Sequence, residues 1–293
     1  MNPRSLSTVF VKCISFMEGA VMWNEPYGST HYGELMFHPE TVELYPKLAK
    51  LNTQVVETCK YYHYFDGGNL RPASAFSYEW VQAEPSKPLP AGKKFLFVKD
   101  GAKSITGRFD KLPKVPFKHT FIIRDPLRSA NSVRRLFMEF FQYDGDPKDF
   151  NMYESNPLLD TKILPPNPCH DVWKYVKENV DPNPVVIDAD DLQNFPEQIL
   201  KKYCEAVDIP FHAKYLQWDE SDKSMRNFNA CLEQMVLGKE LPHHEAAFSS
   251  SCFKPIKTAK PRIEDLTPDG QRYVLENRDG YNEMYDCRLK PEL

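Results

Sequence analysis

The sequence predicts an α/β fold in which a parallel sheet is flanked by helices in three layers. Three apolar runs carry this reading: KFLFVKD (94–100), HTFIIRDP (119–126) and NPVVIDADD (183–191). Each is short and bounded by charge, the pattern of a strand buried on both faces. Each is followed by a helical pattern. Val133, Leu136, Phe137, Phe140 and Phe141 repeat at i, i+3, i+4, i+7 and i+8. PEQILKKYCEAVDI opens on a Pro suited to a first helical turn and brings Ile199, Leu200, Tyr203 and Val207 together. Strands that alternate with helices pair in parallel, and such sheets bind ligands outside the carboxyl ends of their strands.

The remaining elements follow in order. STVFVKCISFMEG (7–19) reads as a helix with Val9, Cys13, Phe16 and Met17 on one face and Gly19 as its stop. AVMWNEPYG (20–28) reads as a strand running into a turn, and residues 39–52 as a further helix. The Pro-rich QAEPSKPLPAGK (82–93) reads as a surface linker. An amphipathic helix is expected near 266–286.

A length of 293 residues fits one large α/β domain, and residues 1–293 are read as one. With 41% hydrophobic and 27% charged residues, a sizeable core is expected and disorder is not. Lys plus Arg number 37 against 41 Asp plus Glu, so the basic excess of a nucleic-acid binder is missing and any anion site must be local. No apolar run approaches the ~20 residues of a membrane helix. The first 25 residues carry Arg4, Lys12 and Glu18 rather than a signal peptide, which points to the cytoplasm. The seven cysteines form no CxxC pair, so reduced thiols are expected instead of a disulfide frame or zinc site.

Two segments carry candidate chemistry. In PRSLST (3–8), Ser5, Ser7 and Thr8 bring hydroxyls and backbone N–H groups to a helix start, where free amides and the helix dipole favour anions. Arg4 adds a forked donor set suited to phosphate or sulfate oxygens. The plainer alternative is a helix capped by Ser5 or Ser7. No GxxxxGK[ST] occurs, which argues against a nucleotide kinase or NTPase. In RDPLRSANS (124–132), Arg124 ends a strand and Ser132 follows eight residues on, so the two can grip one anion from two sides. The plainer alternative is an ion pair between Arg124 and Asp125.

Together, PRSLST and RDPLRSANS resemble the sulfotransferase family, which uses 3′-phosphoadenosine 5′-phosphosulfate (PAPS) as donor. MEG, NEPY, FVKD, FIIRDP and VVIDADDLQNFPEQILKKYCEAVDIPF extend the resemblance over most of residues 2–218. It implies a P-loop nucleoside-triphosphate-hydrolase-like fold and transfer of a sulfonate to a hydroxyl or amine of a small, partly apolar acceptor. Adenosine 3′,5′-bisphosphate (PAP) is then the product, with no metal, no membrane and no nucleic acid, and a homodimer is compatible.

The resemblance also implies residue roles. Arg4 and the segment Ser5, Leu6, Ser7 and Thr8 would hold the 5′-phosphosulfate, with Arg4 neutralising the charge on the bridging oxygen. Arg124 and Ser132 would hold the 3′-phosphate. Ser250, Ser251 and Phe253 in FSSSCFKP would approach the adenine, and Lys254 or Lys257 would add a phosphate contact.

Two departures stand out. VKDGA (98–102) lacks the His that many members use as base, leaving Glu25 first, Asp100 second, and His31 or His63 behind them. The strand that feeds such a loop elsewhere is missing, so a catalytically inactive PAP-binding relative is the alternative. VVIDADD is read as a helix lead-in with Asp190 and Asp191 as caps. CKYYHYFDGG (59–68) would line an acceptor pocket or fill core, and His243, His244 and Glu245 are read as surface without metal.

Overall fold

The computed structural model describes residues 4–37, 64–66, 69–71, 77–140, 143–155, 166–220, 229–230 and 246–292. In chain order these hold α1 (Ser7–Ser15), β1 (Ala20–Asn24), α2 (Pro26–Phe37), β2 (Tyr64–Asp66), β3 (Asn69–Arg71), α3 (Tyr78–Ala83), β4 (Phe95–Lys99) and β5 (Thr120–Ile123). They continue with α4 (Pro126–Phe140), α5 (Met152–Ser155), α6 (Pro168–Asn179), β6 (Val185–Asp188), α7 (Ala189–Asn194), α8 (Pro196–Ala206), β7 (Asn229–Ala230) and α9 (Pro268–Asp286). The helix read over 39–52 and the residue Phe141 lie outside the described residues.

The chain gathers into two compact units. Unit 1 comprises Met1–Ser7, Lys118–Leu216 and Cys252–Leu293, and unit 2 comprises Thr8–Phe117 and Gln217–Ser251. The strands, read from sequence as one parallel sheet, pair as two parallel sheets and a hairpin among the described residues.

In unit 2, β1 is the centre of a parallel sheet of order β4-β1-β7, with Ala20 opposite Phe95 and Asn24 opposite Lys99. Parallel strands cannot be joined by a tight turn. The chain between β1 and β4 carries α2, the antiparallel β2–β3 hairpin and α3. Helix α1 buries Phe10, Val11, Cys13 and Ile14, with Met17 just beyond its end. That is most of its circumference, whereas the expected face named Val9 and Phe16, which are half-buried. A helix apolar nearly all round belongs inside. The helix ends at Ser15, four residues before the stop expected at Gly19; Gly19 instead turns the chain into β1 with a φ of 85° that only glycine adopts freely, and a Cβ there would meet Lys94 Cγ at 2.6 Å.

Lys12 is fully buried on this helix. Its ammonium donates to the carbonyls of Phe248 (2.5 Å), Ser250 (2.7 Å) and Glu220 (3.4 Å). The charge thereby fastens two chain segments to α1 within unit 2.

In unit 1, β5 and β6 pair in parallel from Thr120 opposite Val185 to Ile123 opposite Asp188. Their burial follows from the apolar runs TFII and VVID. Ala130, Val133 and Phe137 of α4 pack with Phe150, Met152, Leu266, Tyr273 and Val274 in one core cluster. Helix α8 buries Ile199, Leu200, Tyr203 and Cys204; Val207 lies past its end at Ala206 and is half-buried. Arg134 Nε is 3.0 Å from Asp269 Oδ2 inside this unit, and Asp269 also accepts from Met152 N at 3.1 Å.

Lys12→Met strands three carbonyls and removes three charged hydrogen bonds. We expect a loss of about 1–3 kcal/mol, read as a lower denaturant midpoint; an unchanged midpoint would show that the lysine ties nothing.

Candidate functional site

The loop before α1 is shaped by its backbone. Arg4 (φ 63°) and Leu6 (φ 69°) are both left-handed, with Ser5 between them. Such alternation turns successive N–H groups toward a common point, the geometry of an anion-binding nest. Ser5 is fully buried, and its hydroxyl makes no hydrogen bond among the described residues. It therefore does not cap α1, and Ser7 lies inside the helix.

In unit 1 this loop meets the end of β5. Arg4 Nε donates to Ser132 Oγ at 2.7 Å, and Arg124 Nη1 donates to the Arg4 carbonyl at 3.1 Å. The two anion contacts implied as separate, one around Arg4 and one around Arg124 and Ser132, are thus a single cluster. Burial holds the Arg4 guanidinium below its ordinary pKa, and the neighbouring charge of Arg124 lowers it further. Arg124 follows the last residue of β5, and Ser132 sits in the second turn of α4. That helix starts at Pro126, two residues before Arg128, because Asp125 caps it: its Oδ1 accepts from Leu127 N at 2.8 Å, and its carbonyl accepts from Arg128 N at 3.0 Å.

The counter-charges differ from the sequence reading. Asp125 pairs with Lys260, not with Arg124. Asp190 lies 2.5 Å from Arg128 Nε and 3.8 Å from Arg124 Nε. Asp188, not Asp190 or Asp191, caps α7, its Oδ1 accepting from Asp190 N at 2.9 Å and Asp191 N at 3.1 Å. The last strand residue reaches the first helical amides because no turn separates β6 from α7. Burial raises the Asp188 carboxyl to about 6. Asp191 pairs instead with Arg288 at 2.7 Å. Sequence spacing located Arg4, Arg124 and Ser132 but missed Asp190 and Lys260, whose partners lie 62 to 135 residues away.

Unit 2 holds the two carboxyls expected as bases. Glu25 follows the last residue of β1 with a left-handed backbone (φ 54°) and forms an ion pair with Lys99. Asp100 caps α2, accepting from Tyr27 N (2.6 Å), Gly28 N (3.0 Å) and Gly101 N (2.8 Å). Helix α2 occupies the stretch read as a turn; Pro26 at its first position was the signal for it. Burial, then the Glu25 charge, push the Asp100 carboxyl up to about 7 against the pull of these amides. Burial brings Lys103 down to about 8. His31 is buried, with Nδ1 3.4 Å from the Tyr78 hydroxyl, and burial lowers it to about 4, so it is neutral at pH 7.

The residues expected near adenine are divided. Ser250 Oγ donates to Ala247 O at 2.7 Å and Ser251 Oγ to Glu220 Oε1 at 3.2 Å, both in unit 2, while buried Phe253 belongs to unit 1. Lys254 and Lys257 are exposed in unit 1, and Thr8 is half-buried in unit 2. His63, His243, His244 and Glu245 lie outside the described residues. Among the described residues no three His, Cys, Asp or Glu side chains gather as a metal site, and no helix is long and apolar enough to cross a membrane.

Asp100 binds its proton more tightly folded than unfolded, where its ordinary value is 3.8. Its contribution to stability is therefore fully present below about pH 4 and lost as pH rises through 7. Asp100→Asn should flatten the decline in the unfolding midpoint between pH 4 and 7, and an unaltered slope would refute this. Asp100→Ala, which deletes the cap of α2, should cost about 1–2 kcal/mol in chemical denaturation.

No family model matches the chain, and no solved structure does. Over 133 residues, 44% of its length, the chain is 28% identical to branched-chain-amino-acid aminotransferase-like protein 2 of Arabidopsis thaliana, a protein with an enzyme-like name. The chain spans about a fifth of that relative (20%). These findings overturn the resemblance to the sulfotransferase family. The physical reason lies in the motifs themselves: Asp-Pro before a helix and Ser-rich turns are general strand-to-helix chemistry, so PRSLST and RDPLRSANS mark local geometry, not a family.

Proposed function

We propose that the Arg4–Arg124–Ser132 cluster binds a phosphate- or sulfate-bearing ligand. The observation that carries the reading is the convergence, in unit 1, of two arginines on one loop beside the Ser132 hydroxyl, with the left-handed turn of Arg4 and Leu6 forming the loop's backbone. Two like charges held together favour a bound anion, and guanidinium forks suit its oxygens. The cluster lies at the carboxyl end of β5, where parallel sheets take their ligands.

The reaction proposed for the site is group transfer, with PAPS as the donor to test and a hydroxyl or amine as acceptor. This rests on the residues alone. Positioning and charge neutralisation suffice for such a transfer, while the acceptor proton needs a base. A second reading follows from the aminotransferase-like relative: the chain takes part in amino-group transfer from branched-chain amino acids.

Calorimetric titration with PAP and PAPS, followed by assays of sulfonate and amino-group transfer, tests both. PAP binding without turnover on any acceptor would assign a non-catalytic binding role, and absence of binding would sink the anion site. Arg124→Ala should weaken PAP binding by about 1–3 kcal/mol, about 5- to 150-fold; an unchanged affinity removes Arg124 from the site.

A further inference from the structure

We infer that the carboxyl end of the β1 and β4 pair in unit 2 is a second binding site, which takes the carboxylate of a small molecule between Lys103 and Ser104; this is independent of the anion-binding reading of unit 1. Parallel sheets take ligands at that end. Asn24 and Lys99 are the last paired residues there, so Glu25 and Asp100 leave the sheet side by side. Glu25 leaves it in a left-handed conformation, strain of the kind that collects at functional sites.

The donors come next in the chain. After Asp100 the backbone makes one short helical turn, Ala102–Ser104. Ser104 is 1% exposed, and its hydroxyl has no hydrogen-bond partner among the described residues. A buried hydroxyl left unpaired is unfavourable, and a ligand oxygen would satisfy it. Gly101 borders it: a Cβ there would lie 3.6 Å from Ser104 Oγ and 3.9 Å from Lys103 Cγ, so the missing side chain leaves room between the two. Lys103 is half-buried, partly desolvated yet open to a ligand.

The surrounding charges suit a carboxylate. Glu25 neutralises Lys99. Asp100 accepts from Gly28 N and Gly101 N on Oδ1 and from Tyr27 N on Oδ2, which leaves one position on Oδ2 for a proton. With that proton in place Asp100 does not repel an anion, and Lys103 attracts it. Lys103 and Ser104 serve the two oxygens of a carboxylate; phosphate or sulfate has more oxygens than these donors satisfy.

Binding is thereby coupled to protons. Asp100, raised to about 7 by burial and then by the Glu25 charge, and Lys103, lowered to about 8 by burial, both titrate near neutrality. Lys99 of β4 acts on Asp100 as well. From α2, Tyr27 faces Asp100 and His31 faces Lys103; burial raises the first and lowers the second to about 4, so both are uncharged at pH 7. A bound carboxylate favours the protonated forms of Asp100 and Lys103, so binding takes up protons and weakens as pH rises through 7 and 8.

The test is an NMR titration of the full chain with isotope-labelled acetate at pH 6.5 and 8.5 and constant ionic strength. Acetate should bind, with an affinity that falls about fivefold or more between the two pH values. Lys103→Met and Ser104→Ala should each weaken it about fivefold or more. Ser104→Ala should do so without lowering the ligand-free thermal midpoint, because the hydroxyl it removes is unpaired; a merely structural serine would lower both, and that result overturns the inference. Gly101→Ala fills the room beside Ser104 in ordinary van der Waals contact and at an unstrained φ of −77°, so it should fold and lose acetate. No binding at pH 6.5, equal affinity at both pH values, or affinity untouched by Ser104→Ala and Gly101→Ala overturns the inference and leaves the unit 1 site to its own test with PAP. Arg124→Ala should leave acetate affinity unchanged; a loss there would put the acetate in unit 1 and overturn the inference too. Lys103→Gln serves as the second neutral variant should Met misfold.

Discussion

One hydrogen bond, from Arg4 Nε to Ser132 Oγ, ties the start of the chain to a helix 128 residues later. Much of unit 1's charged architecture is arranged around it. Arg124 can donate to the Arg4 carbonyl only while that loop is seated, and the left-handed backbone at Arg4 is tolerable only because the surrounding contacts hold it. The remaining charges form a ring of compensation: Asp190 between Arg128 and Arg124, Asp125 with Lys260, and Asp191 with Arg288. Guanidiniums gathered at a strand end would repel one another, and this set of carboxylates keeps them together.

Local patterns in the sequence were legible and distant pairings were not. TFII and VVID announce β5 and β6 because burial on both faces leaves a continuous apolar signature. Arg124 and Ser132 were found by spacing along one strand-turn-helix. Asp190 was misread as a cap because the competing candidate, Asp188, is a strand residue whose side chain reaches forward, and no spacing rule says which of neighbouring aspartates a helix will choose. The partners of Asp125 and Asp190 are set by tertiary folding, which short motifs do not encode. The same limit explains the misassigned family: six or nine residues with sound local chemistry say how a turn is built and little about ancestry.

Unit 2 shows a different economy of charge. Glu25 holds a left-handed backbone that non-glycine residues adopt reluctantly, and its carboxylate is neutralised by Lys99 on the adjacent strand. Gly28 leaves the space beside it open, since a Cβ there would sit 3.1 Å from Glu25 Cβ and 3.3 Å from Asp100 Oδ1. Asp100, raised to about 7, and Lys103, lowered to about 8, both by burial, are the kind of pair in which titration is tuned near neutrality.

The interleaving of the two units bears on how the chain is made. Unit 1 draws on Met1–Ser7, on Lys118–Leu216 and on Cys252–Leu293, with unit 2 supplied by the stretches between. Arg4 precedes β5 and α4 in the chain, so its bond to Ser132 forms only once those elements have followed it. Lys260 and Arg288, which neutralise Asp125 and Asp191, follow later still. The counter-charges around the arginine cluster are therefore complete only once the segments that hold Lys260 and Arg288 have been made, long after Arg4, Arg124 and Ser132.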